Sequence, residues 1–155
     1  MATEKKTKKE KKVKELKIRE AIELVNLTKK INLLKLDRSV QGSILRMAYQ
    51  LKPAVTRFEE FQKDTIERLK PENFEDMVEK QERFKTLPDE EKIALNKVFS
   101  EYDKAVTDVV SSELDKTVTL DLSDIEAIDF DALAQIGSNN EIPAYNLLPL
   151  IDATE

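Results

Sequence analysis

The side chains best able to bind a cation or move a proton in this chain are carboxylates, and they crowd into one stretch: Asp121, Asp124, Glu126, Asp129 and Asp131. A calcium loop places oxygen ligands at alternate positions around a glycine and closes with a glutamate. No glycine falls within this run, and Ile125, Ala127, Ile128 and Phe130 interrupt its spacing. The run therefore reads as a solvated acidic turn, with no metal and no cofactor expected. Two carboxylates divide into acid and base only where a pocket drives their pKa values apart, and nothing in the pattern marks such a pocket. Other catalytic means are missing from the composition. There is no histidine and no cysteine, hence no imidazole base, thiolate nucleophile or soft metal ligand. The only glycines are Gly42 and Gly137, which leaves no glycine-rich loop to cradle a phosphate. The residue types point to a protein that is not an enzyme.

The second concentration of charge is basic. Residues 1–12 (MATEKKTKKEKK) hold Lys5, Lys6, Lys8, Lys9, Lys11 and Lys12 against two glutamates, a local balance of +4 within a chain of net charge −5. The remainder carries −9, and after Lys116 no basic residue occurs at all. Such a tail neutralises nucleic-acid phosphates in a salt-dependent way. It has no aromatic residue to stack on bases and no arginine to read them. Its nucleic-acid contact would be non-specific, and a merely solubilising terminus is the competing reading. The aromatic residues Phe58, Phe61, Phe74, Phe84, Phe99 and Tyr102 sit at helical spacing among leucines and valines, as core or partner-helix contacts do.

The elements that position these residues follow from periodicity. Residues 1–12 have too little apolar content to fold and read as a disordered tail. Residues 13–18 (VKELKI) fit either a short strand or a first helical turn. A helix is expected from Arg19 to Ile31, then a connector closed by Asp37 as N-cap. From Arg38 to about Lys70, Val40, Ile44, Met47, Ala48, Leu51, Val55, Phe58, Phe61, Ile66 and Leu69 keep one stripe. Pro53 lies inside it and predicts a kink in a helix about 50 Å long. Pro71 suits the first turn of the next helix, and Thr86–Glu91 (TLPDEE) opens another that runs to about Leu114. The period then switches from 3.6 to 2 in Thr117–Leu122 (TVTLDL), a strand whose nearest candidate partner is residues 13–18. Because a lone strand leaves its backbone unsatisfied, that pairing favours strand for VKELKI too. A short helix from Asp129 to Ile136 is expected to stop at Gly137. The apolar, proline-broken stretch from Ile142 to Ile151 either packs on the bundle or serves as a docking peptide.

The expected fold is mainly α: an elongated helical hairpin or bundle with a small two-stranded antiparallel β-sheet joining the N- and C-terminal parts. Residues 13–136 form one domain in this reading, and residues 137–155 form an acidic, apolar C-terminal extension. No apolar run is long enough for a membrane-spanning helix, and the N-terminus lacks the apolar centre of a secretory signal, which points to an intracellular protein.

The segments LKIREAIELVNL, INLLKLDRSVQGSILRMAYQLKPAVTRFEEFQKDTIERL and VVSSELDKTVTLDLSDIEAIDFDALAQI, within roughly residues 16–136, resemble small proteins of unknown function encoded by tailed bacteriophages. The likeness lies in the order and spacing of elements, most of all in Phe58–Phe61 and in the helix-to-strand join at Leu114–Leu122. The lysine-rich tail, Pro53 and the insert around residues 71–90 depart from it. The resemblance implies a virion component of head, neck or tail, or an assembly factor, placed in the virion or the host cytoplasm. Its partners would be other virion proteins or further copies of itself, without a membrane. Phe58, Phe61, Tyr145, Leu147, Leu148 and Leu150 are the candidate partner-binding residues. The alternatives are a nucleic-acid-associated protein acting through the tail, or a small acidic inhibitor of a host factor.

Overall fold

A computed structural model describes residues 12–155. Of the tail, only Lys12 falls within them; Lys5, Lys6, Lys8, Lys9 and Lys11 lie outside the described residues. The fold is mainly α with a small two-stranded antiparallel sheet: β1 (Val13–Lys17), α1 (Ile18–Lys29), α2 (Arg38–Leu69), α3 (Phe74–Glu82), α4 (Asp89–Leu114), β2 (Thr117–Asp121), α5 (Phe130–Asn140) and α6 (Leu148–Thr154). Short 3-10 turns at Phe84–Thr86 and Ala144–Leu147 precede α4 and α6. The chain divides into two compact units, one made of the residues up to Arg57 with Asp115–Glu155, the other of Phe58–Leu114.

In the first unit β1 and β2 pair as the change of period predicts, with Val13 opposite Asp121 and Lys17 opposite Thr117. Alternation turns Leu16, Leu120 and the following Leu122 inward, where all three are buried. The ladder continues past both ends: Leu122 N–H donates to the Lys12 carbonyl (2.8 Å) and Ile18 N–H to that of Lys116 (2.9 Å). The chain passes from β1 into α1 without a loop. Glu20 Oε1 accepts from the Lys17 N–H at 3.1 Å, which supplies a partner for one of the donors a helix start leaves open. Arg19 Nε and Nη2 both donate to Asp115 Oδ1, at 3.1 and 2.7 Å, joining the start of α1 to the entry of β2. Ala21, Leu24 and Val25 of α1 meet Ile44, Met47, Leu51 and Val55 of α2 in one core with the sheet.

α2 runs without interruption through Pro53, which lies on its exposed side. The Asp37 carbonyl accepts from Gln41 N–H at 2.9 Å, as an N-cap carbonyl does. Residues 122–129 lack regular structure, so buried N–H groups there that meet no backbone carbonyl need side-chain partners. Ser43 Oγ accepts from Glu126 N–H and Thr154 Oγ1 from Ile128 N–H, both at 2.9 Å. Held in this way, Ile125 and Ile128 reach the core.

Three expectations are corrected. Pro71 is not in the first turn of a helix: α3 starts at Phe74, and the Pro71 carbonyl accepts from Phe74 N–H (3.1 Å) in the turn before it. Gly137 does not stop α5, which continues to Asn140. The left-handed residue beyond it is Glu141, at φ 54°. Gly137 instead permits close packing, because a Cβ there would lie 2.7 Å from the Ile142 carbonyl oxygen. Finally, residues 137–155 are no extension: Leu147, Leu150, Ile151 and Ala153 belong to the same core as the sheet and α1. The Lys14 ammonium, on β1, also donates to the Asp152 carbonyl.

In the second unit Met77 of α3 and Leu95 of α4 are buried. Phe74 packs edge-on against Phe99 (centroids 6.3 Å apart) and beside Tyr102 (5.6 Å). The Tyr102 hydroxyl donates to the Ile66 carbonyl at 2.9 Å, which ties α4 to the C-terminal half of α2. The aromatic spacing thus has its explanation in helix packing.

Candidate functional site

The carboxylates of the acidic run have different surroundings. Asp121 Oδ1 accepts from the N–H and Oγ of Ser123, at 2.9 and 2.6 Å, closing the turn after β2. Asp129 Oδ1 accepts from Ala132 N–H at 2.8 Å and caps α5. Glu126 and Asp131 border a polar cavity of about 240 Å³ beside Asp37 and Ser43. Among the described residues no three His, Cys, Asp or Glu side chains are placed to hold a metal ion. The carboxylates that do accept hydrogen bonds here act as a turn closer and a helix cap.

The candidate partner-binding residues separate by burial. Leu147 and Leu150 are fully buried, and Phe58 is buried too. Leu147 and Leu150 are committed to the interior because the fold uses the C-terminal stretch as core, whereas Phe58 is buried as part of α2. Leu148 and Phe61 are half-buried. Tyr145 alone is open, four-fifths exposed on the 3-10 turn before α6.

A different surface carries the larger recess. A groove of about 690 Å³ runs in the first unit between the C-terminal half of α1 and the middle of α2. Val25 and Thr28 line it from α1, and Leu45, Ala48 and Tyr49 from α2. The geometry follows from helical periodicity. Ile44, Met47, Leu51 and Val55 form the α2 stripe that enters the core, and Leu45, Ala48, Tyr49 and Lys52 form a second stripe about 100° round the helix. That second stripe is largely open: Ala48 is half-buried, but Leu45 is 56% and Tyr49 82% exposed. Gln50 fixes α2 against β2, since its amide donates to the Asp121 carbonyl and accepts from the Asp121 N–H, both at 2.8 Å. These are the Asp121 backbone groups that point away from β1, so Gln50 occupies the place of a third strand. Arg46 Nη1 donates to the Asp124 carbonyl at 3.3 Å across the end of the groove.

Leu45 and Tyr49 were not among the residues the sequence singled out. The signal was present as an apolar pair at i, i+4 beside a long stripe, but the stronger core stripe of the same helix masks it. No helix among the described residues is long and apolar enough to cross a membrane. No protein-family model, curated protein or solved structure matches the chain.

Proposed function

We propose that the protein is a non-enzymatic, protein-binding component of a tailed bacteriophage, acting in the virion or in its assembly. The observation that supports this reading is the groove of the first unit, where Leu45 and Tyr49 hold apolar surface open to solvent on a helix that Gln50 fastens to β2. Exposed apolar surface that is contiguous and rimmed by polar groups marks protein contact sites. The phage setting rests on the resemblance in element order over roughly residues 16–136.

The test is quantitative mass spectrometry of purified particles of the encoding phage, together with affinity capture from infected cells. A fixed copy number per particle, or stoichiometric capture with one morphogenesis protein, is the expected result. A Leu45→Ser/Tyr49→Ser variant should lose that association while keeping its helical circular dichroism. A protein absent from particles that captures no phage protein would overturn the reading.

A further inference from the structure

We infer that the groove between α1 and α2 takes an acidic amphipathic helix of a partner protein. This deepens the reading of the chain as a protein-binding module and rests on it. Three features of the groove carry the inference.

The first is shape. Leu45, Ala48, Tyr49 and Lys52 lie at i, i+3, i+4 and i+7 along α2, so the exposed floor extends over about 10 Å, two helical turns. That length matches the i, i+3/i+4, i+7 anchors by which a helix lies in a groove. The second is the apolar floor itself, formed by Val25, Leu45, Ala48 and Tyr49. It suits two or three leucine-sized anchors rather than a polar ligand.

The third is charge. Lys29, Arg46 and Lys52 stand around this floor. Lys29 and Lys52 are exposed and form no ion pair with any described residue. Arg46 stands at the β2 end, where its guanidinium donates to the Asp124 carbonyl. Asp121 and Asp124 lie at the β2 end only. Two unpaired lysines thus flank an apolar trough, away from its acidic β2 end, on a chain that carries −9 beyond residue 12. Complementary fields steer encounter and reject wrong partners. A basic helix would be drawn to the acidic remainder of the surface, whereas an acidic helix has its favourable site here.

The probe is a synthetic 14-residue helix-forming peptide with leucines at helical spacing and glutamates on its flanks. Its control carries lysine in place of every glutamate. Binding to the full chain is read by fluorescence anisotropy and mapped by amide chemical shifts. The glutamate peptide should bind at least about tenfold more tightly than the lysine peptide at low salt, with the margin narrowing as salt is raised. The shifts should centre on residues 25–29 and 45–52. Lys29→Glu/Lys52→Glu should reverse the preference, and Leu45→Ser should weaken both peptides. All three side chains are exposed, so these variants should keep the wild-type melting profile.

Equal binding of the two peptides, binding of neither, or shifts that map elsewhere would overturn the inference. So would self-association abolished by Leu45→Ser, which would make a second copy the occupant. The two readings fail separately. A protein that joins particles yet shows no peptide preference loses only the acidic partner, whereas one that prefers the acidic peptide but never meets a phage protein loses only the phage role.

Discussion

Gly137 and Gly42 are the chain's two glycines, both helical, and their surroundings differ in kind. At Gly137 an added Cβ would stand 2.7 Å from the Ile142 carbonyl oxygen, a backbone atom held by its neighbours. The Gly137 carbonyl in turn accepts from Ile142 N–H at 3.0 Å, so neither segment can retreat without losing a hydrogen bond. At Gly42 the nearest obstacle is the Arg46 guanidinium, also 2.7 Å away but at the far end of a flexible side chain whose hydrogen bond to the Asp124 carbonyl is long, 3.3 Å. Gly137→Ala should therefore cost about 1–3 kcal/mol through overpacking. Gly42→Ala should gain up to about 1 kcal/mol from the lower entropy cost of alanine in a helix. Urea denaturation of the two variants checks both signs, and equal shifts in the same direction would contradict the packing assigned here.

Among the elements, those with a strong period were legible and those resolved by competing signals were not. The strict alternation of Thr117–Leu122 and the need of any strand for a partner were enough to pair it with residues 13–18. The proline and three acids at residues 88–91 marked the start of α4 for electrostatic and steric reasons that local sequence contains. The end of α5 was misread because glycine serves two purposes, left-handed caps and close approaches, and only the fold shows which. The groove was missed for a related reason: α2 carries two apolar stripes side by side, and a single-stripe reading stops at the one that forms the core. The α5 terminus also yields a prediction. Glu141 holds φ 54° as C-cap, with its N–H donating to the Gly137 carbonyl. A side chain in this region costs about 1–2 kcal/mol that glycine does not. Glu141→Gly should raise the stability of the first unit by up to about 1 kcal/mol. Calorimetry reads the result, and a lowered melting temperature would show that the Glu141 side chain contributes more than its backbone costs.

On the scale of the molecule, the first unit is assembled from distant parts of the sequence, with its sheet drawn from residues 13–17 and 117–121 and the last helix closing the same core. The C-terminal stretch therefore decides whether this unit folds. Leu147, Leu150 and Ile151 are buried there, and burying each such side chain contributes about 1.5–3 kcal/mol. Thr154 adds a polar lock. Its hydroxyl donates to the Leu150 carbonyl (2.8 Å) while accepting from Ile128 N–H, so its loss strands a buried donor in the 122–129 segment. Together these terms are comparable with the about 5–15 kcal/mol that holds a whole domain. Deleting residues 144–155 should consequently abolish the cooperative thermal transition of the first unit, with increased binding of a hydrophobic dye as its core opens. An appended docking peptide would behave otherwise, since its removal would leave the midpoint and sharpness of the melt unchanged. The aromatic packing of Phe74, Phe99 and Tyr102 lies wholly within Phe58–Leu114. Helical signal that survives the deletion should therefore come from that segment, and hydrogen exchange should show its retained protection there rather than in α1 or the sheet.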